Sequence, residues 1–366
     1  MSNDPRDLSG EKLQKALLLL GQDAELRHEL IVWLKQAEEK INYREGSIRD
    51  DITGPIVDAL HSENDIYEKE LIDGTRFEFL FRTKIARDFF LSPQLKPNHV
   101  WEPQTTKLLL QLAKERQDDI LVGGAYFGDQ AILLAQAIKG SGRRLHGFEP
   151  NVDQAKMFLR NVGINNLDNV VVQHTGLWSE TSVTLKLDGF DSFANAVVAE
   201  EGEAGFQTIT IDDYIEQNGC RLSLIQMDIE GAELAALKGA SRCIATMKPD
   251  ILFEVHRAYV DWSDGLENAE ICKFLIGFGY TLFAIRDFNS HVDMEGGAIE
   301  LIPAAKVYLT GPPHGFNMLA LHDASRLDSE RYIIVENVSP KLLAHKDHSL
   351  HHPSYGLPSS FQKNSG

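Results

Sequence analysis

The sequence predicts an α/β fold built on a mostly parallel sheet, and three observations lead there. From Ile120 onward, short apolar runs alternate with helical segments, at 120–124, 144–149, 169–173, 222–228, 250–256, 280–285 and 316–322. That alternation is the signature of repeated βαβ units. A glycine-rich stretch, Gly123-Gly124-Ala125-Tyr126-Phe127-Gly128, closes the first run. Three carboxylates, Asp228, Glu230 and Glu233, crowd the point where Leu222–Met227 gives way to the helix-forming Leu234–Gly239. In open α/β sheets that edge is where ligands bind, and a buried strand needs no acid at its tip in order to fold.

The 366 residues suffice for such a core and an accessory region. Residues 10–42 read as helix, because Leu26, Leu30, Trp33, Leu34, Ala37 and Ile41 recur at three- and four-residue steps. This face predicts packing on the main domain or a homodimer surface. Residues 62–75 are polar and end in the turn signal Asp73-Gly74. Phe77, Phe79 and Phe81 alternate before Ile85, Phe89, Phe90 and Leu91 shift to helical spacing, a core or lid segment. Pro93 and Pro97 bracket a linker, and Pro103 opens an amphipathic helix over 105–114. The resulting organisation is a helical accessory region at 1–95, an α/β domain at 96–335 and a Ser-, Pro- and His-rich disordered tail at 336–366, which holds His345, His348, His351 and His352.

Net charge is −18, from 54 acids and 36 bases. That balance disfavours a protein that grips nucleic acid by its phosphates. The longest apolar burst near the start, Ala16–Leu20, is too short to span a bilayer, and Met1–Gly10 lacks a signal-peptide core. Cys220, Cys243 and Cys272 form no paired motif. A reducing, cytoplasmic setting without membrane or nucleic-acid partners is the expectation.

The glycine stretch lets the backbone turn tightly and approach a ligand, and the following helix adds free amides. Arg144–Phe148 then ends at Glu149. An acid at the tip of the second strand suits the hydroxyls of an adenosine-type ribose. NAD enzymes prefer G-x-G-x-x-G, whereas Ala125 stands at the middle glycine. S-adenosylmethionine has no phosphates and tolerates the looser turn, so the pattern leans toward it.

Gly124–Gly128, Gly147–Asn151, Thr210–Tyr214 and Gln226–Glu233 occur in one order, followed by Leu237–Ala240, Phe253–His256, Gly279-Tyr280 and Phe316–Met318. Together they resemble the FkbM-type methyltransferases over roughly 100–322. The resemblance implies a Rossmann-like seven-stranded sheet, mostly parallel with its last strand antiparallel. It also implies S-adenosylmethionine as cofactor, held by Gly124, Ala125, Gly128, Glu149 and Asn151, and O-methylation of a hydroxyl on a small molecule or glycan acceptor. The family usually carries Asp two residues before the first loop glycine. Here that position is Val122, so either donor binding weakens or another acid, such as Glu102 or Asp129, substitutes.

Asp228 ends the fourth strand, and Glu254 and His256 end the fifth, neighbours in a doubly wound sheet. Two layouts fit a hydroxyl that must lose its proton as the new bond forms. In one, His256 is the general base and Asp228 or Glu254 orients it; this is preferred because histidine is the commonest base near neutral pH. In the other, Asp228 and Glu254 bind a divalent cation. Glu230 and Glu233 are read as helix-capping acids, and Asp212 and Asp213 as the start of a helix. Leu177, after the third strand, is an apolar contact for the adenine ring. The insert 287–314, with His291, Asp293 and His314, shapes an acceptor pocket. An NAD-dependent oxidoreductase or epimerase and a non-catalytic S-adenosylmethionine-binding module are the competing readings.

Overall fold

Helix α1 (Gly10–Gln22) stops where Asp23 accepts the amides of Glu25 and Leu26 at 3.0 Å each, an N-cap that starts α2 (Ala24–Lys40) afresh. The single helix predicted over 10–42 is therefore two. The computed structural model describes residues 10–41, 48–92, 94–188, 195–199, 203–287, 297–309 and 315–341. These residues divide between two units, one drawn from 1–69 and 78–92, the other from 70–77 and 93–366. After α2 come α3 (Gly54–Ala59), β1 (Ile66–Glu70), β2 (Arg76–Leu80) and α4 (Lys84–Phe90). The region read as helical thus contains a two-stranded sheet, β1-β2. Its cause is legible in β2, where Phe77 and Phe79 alternate at the period of a strand and are both fully buried. The core of the first unit is Ile31, Leu34, Val57, Leu60, Phe81 and Leu91. No helix among the described residues is long and apolar enough to cross a membrane.

The second unit is an α/β assembly around a mixed sheet. It runs α5 (Pro103–Glu115), β3 (Asp119–Gly123), α6 (Ala131–Ala137), β4 (Leu145–Phe148), α7 (Val152–Ile164) and β5 (Val170–Gln173). A smaller sheet follows, from β6 (Gly176–Leu177), β7 (Thr184–Asp188), β8 (Asn195–Val198) and β9 (Phe206–Ile209). The chain then returns through α8 (Ile211–Asn218), β10 (Leu222–Met227), α9 (Glu233–Lys238), α10 (Ser241–Met247), β11 (Asp250–His256), α11 (Glu270–Gly277) and β12 (Thr281–Ile285). It ends with β13 (Ile299–Pro303), β14 (Gly315–Leu321) and β15 (Tyr332–Ile334).

Among the described residues the main sheet has nine strands, in the order β15-β13-β12-β14-β11-β10-β3-β4-β5. The seven apolar runs supply seven neighbouring strands, and β13 and β15 extend that set beyond β12. The run from β5 to β11 is parallel, while β14 is antiparallel to both β11 and β12. From β3 the strand order proceeds through β4 and β5 on one side and through β10 and β11 on the other. The crossovers therefore diverge between β3 and β10, opening a crevice at their carboxyl ends. One sheet face is closed by a core that joins Leu121, Ile225, Met227, Phe253 and Val255 to Leu237, Ile244 and Leu275.

Candidate functional site

The crevice is built first by the turn after β3. Gly124 and Gly128 adopt φ of 72° and 93°, conformations open to glycine without strain. A Cβ on Gly124 would lie 1.7 Å from the Asp228 carbonyl oxygen, so the turn touches the tip of β10 only because position 124 lacks a side chain. The Asp228 amide donates to the Gly123 carbonyl at 3.1 Å, and the Gly124 and Ala125 amides donate to the Phe148 carbonyl at 3.0 and 2.9 Å.

Glu149, buried at the tip of β4, accepts the Tyr126 amide at 2.7 Å on one oxygen and the Asn151 amide at 2.8 Å on the other. Its carboxylate clamps the glycine turn to the start of α7. Each carboxylate oxygen has a second lone pair with which to accept a ribose hydroxyl. Asn151 is the N-cap of α7, accepting the Asp153 and Gln154 amides at 3.0 and 3.3 Å. Leu177 is buried in the core under Gly123.

The acids meet on the other side of the crevice. Asp228, Glu230 and Glu254 each offer an oxygen, and the three lie within 4.8 Å of one another. Glu233 stands apart from them, buried, accepting the Ile229 amide at 2.8 Å and the Gly231 amide at 3.0 Å. It fixes the loop that leads into α9 through two amides that precede the helix. Glu230, read as a second capping acid, instead takes φ of 51° and turns toward Asp228 and Glu254. Gly315 lies opposite His256 and Asn317 opposite Glu254 in the β11–β14 register. A Cβ on Gly315 would sit 2.0 Å from the Glu254 carboxylate, so this glycine makes room for the acid.

Desolvation dominates the electrostatics of the cluster. It lifts Asp228 to about 6 against the pull of Lys341, and lifts Glu230 to about 8 with help from Asp228 and Glu233. It raises Glu254 well above the ordinary glutamate value, with Asp228 and Glu230 adding to the effect. Glu233 and Asp129 each rise to about 7.

His256 accepts the Ala258 amide on Nδ1 at 3.1 Å. That bond places the proton of the neutral ring on Nε2, which makes Nε2 a donor.

The third wall was largely missed by sequence reasoning. Glu102, just before α5, takes φ of 47° and is buried. It accepts a hydrogen bond from the Asn317 amide nitrogen, which also reaches Thr105 Oγ1 at 3.3 Å. Lys341 Nζ, also buried, is 3.7 Å from Glu102. Burial lifts Glu102 to about 8, Lys341 opposing and Asp287 and Asp228 adding to the rise.

Lys341 arrives on a segment read as part of a loose tail. The Val335 amide donates to the Leu301 carbonyl, the Asn337 amide to the Lys306 carbonyl and the Asp287 amide to the Pro340 carbonyl, so the chain runs along the sheet edge as far as Lys341. No local signal marks these contacts, because their partners lie tens of residues away. His291, Asp293, His314 and the tail histidines lie outside the described residues.

Residues 123–282 match the family model of the methyltransferase FkbM domain. No curated protein matches the chain. Among solved structures, the methyltransferase FkbM from Methylobacillus flagellatus KT is 16% identical over 56% of this chain and 43% of its own, with a TM-score of 0.35. The match thus spans less than half of that protein's length. The SAM-dependent methyltransferase from Agrobacterium tumefaciens is 10% identical over 72% of each chain, with a TM-score of 0.41. The O-methyltransferase from Bacillus cereus in complex with SAH is 17% identical over 62% of this chain and 84% of its own, with a TM-score of 0.34.

Proposed function

From the methyltransferase FkbM domain that this chain carries over residues 123–282, we propose an S-adenosylmethionine-dependent O-methyltransferase acting on a hydroxyl of a sugar, glycan or other small-molecule natural product. The observation that carries this reading is the meeting of the glycine turn with the acid-tipped strands. Gly124 abuts Asp228, and Asp228 shares a 4.8 Å cluster with Glu230 and Glu254. The residues suit the donor, because a desolvated acidic crevice favours a sulfonium cation over a neutral ligand. When bound, the donor supplies a methyl group already activated for displacement.

The protein's own tasks are to bind, align and deprotonate. The Gly124–Gly128 backbone and Glu149 take the nucleoside. Asp228, lifted only to about 6, is the cluster acid most fully ionised near neutral pH, and it accepts the hydroxyl proton. His256 donates from Nε2 to an acceptor oxygen and orients it, while Glu254, whose proton burial and the neighbouring acids hold more tightly than usual, adds a second donor. A divalent cation is the second reading, favoured by the three carboxylates within 4.8 Å, a donor set suited to a hard ion.

The test is a methyl-transfer assay against a panel of sugars with and without chelator. Asp228→Asn is expected to lower kcat by about two to four powers of ten, with activity insensitive to chelator. Full activity in that variant would remove the base assignment, and loss of wild-type activity on chelation would select the metal layout.

A further inference from the structure

The acid cluster accounts for a sulfonium, but the donor's other end is an amino acid, with an ammonium and a carboxylate on one carbon. A site that reads it needs opposite charges side by side and shielded from water. The tip of β3 supplies none, since Val122 is apolar and only 1% exposed. Among the described residues, one such pair lies beside the cluster. Glu102 and Lys341 are both buried, 3.7 Å apart, and held from separate directions.

Glu102 is gripped by Asn317, whose register partner is Glu254 of the cluster. The backbone that carries Lys341 is held by three hydrogen bonds. The Asp287 amide donates to the Pro340 carbonyl at 2.9 Å, Arg286 Nε donates to the Ser339 carbonyl at 3.1 Å, and the Lys341 amide donates to Ser339 Oγ at 3.2 Å. Arg286 is itself fixed by a buried ion pair with Glu300 at 2.7 Å. A Glu254 oxygen in turn lies within 4.8 Å of an Asp228 oxygen, and the Asp228 amide is bonded to Gly123. The pair therefore borders the same crevice as the glycine turn. A buried salt bridge contributes little net stability, so fold stability is a weak reason to bring a lysine along the sheet edge to this point.

We infer that Glu102 and Lys341 form the subsite for the zwitterionic amino-acid end of the donor, Glu102 taking the ammonium and Lys341 the carboxylate, so that the 332–341 segment is part of the donor site. This rests on the donor assigned above. It predicts which parts of a ligand the protein recognises, and direct binding reads that without turnover.

Calorimetric titration of the full chain with S-adenosylhomocysteine, methylthioadenosine, S-adenosylmethionine and decarboxylated S-adenosylmethionine separates the two claims. The wild type is expected to bind S-adenosylhomocysteine at least about tenfold tighter than methylthioadenosine, which lacks the amino acid, the scale of a lost charged hydrogen bond. It is expected to bind S-adenosylmethionine at least about tenfold tighter than the decarboxylated form. Lys341→Met is expected to abolish the second preference and Glu102→Gln to shrink the first, each with unchanged affinity for methylthioadenosine as proof of an intact nucleoside site. Equal wild-type affinity for the carboxylated and decarboxylated forms would overturn the subsite without recourse to any variant, as would a Lys341→Met protein that keeps the preference. Failure of all four ligands to bind would instead remove the donor assignment itself.

Discussion

Gly124 sets the spacing of the crevice, because its missing side chain lets the β3 turn rest on the Asp228 carbonyl. Alanine there would take φ of 72° and place its Cβ 1.7 Å from that oxygen. The left-handed backbone alone costs about 1–2 kcal/mol, and relieving the clash must also part the tips of β3 and β10. Gly140 and Gly142 are fair controls, with φ of 76° and 80° and nothing within 4 Å of a built Cβ. Thermal unfolding should show a clearly larger loss for Gly124→Ala than for Gly140→Ala, together with a weakened response to S-adenosylmethionine. Equal losses would mean that the contact with Asp228 has no part in shaping the site. At this scale the sequence is a partial guide. Asp228, Glu254 and the glycines stand out because acids and glycines at strand tips are unusual. The Ala258 amide bonded to His256 and the two amides held by Glu149 are invisible in the sequence, since each depends on a turn that folds back onto the side chain.

Elements were read well where a local period governs them and poorly where pairing is distant. The seven runs and the helix after Asp228 follow from short-range pattern. The strands β13 and β15 are brief and embedded among loop-like residues, and they become strands only by pairing with β12 and with each other. The start of α5 shows the same dependence. Asp287, 2% exposed, accepts the Gln104 amide at 2.9 Å and the Thr105 amide at 2.6 Å. It caps a helix that begins more than a hundred residues earlier, and the same residue is bridged to Lys341. Asp287→Ala would strand two buried amides, at about 1–3 kcal/mol each, whereas Asp287→Asn keeps an acceptor for one of them. Urea denaturation should therefore rank the wild type above Asn and Asn above Ala. An alanine variant as stable as the wild type would show that the helix terminus finds other partners.

Across the whole molecule, the crevice concentrates acids that folding holds above their ordinary values. Glu102 and Glu230 rise to about 8, Glu233 and Asp129 to about 7 and Asp228 to about 6, from 4.5 for glutamate and 3.8 for aspartate. A raised acid binds its proton more tightly when folded than when unfolded. Its contribution is fully present below about 4 and is lost as pH climbs through the folded value. The window of loss thus runs from about 4 to 8. Other groups oppose it only in part. His61 and His146, lowered by burial, favour the folded state as pH rises to their ordinary 6.5, and Lys69, lowered to about 7, does so above 7. Between pH 6.5 and 8 the acids outnumber these, so the melting temperature of the ligand-free protein should fall over that interval. A cationic ligand in the crevice should reverse the trend, because it favours ionised acids. At saturating concentration S-adenosylmethionine should raise the melting temperature more at pH 8 than at pH 6.5, while S-adenosylhomocysteine, without the sulfonium charge, should give a flatter difference. Scanning calorimetry across these pH values with each ligand reads the comparison directly. A melting temperature that rises from pH 6.5 to 8 without ligand would mean that the crevice acids are ionised and solvated rather than waiting for a cation.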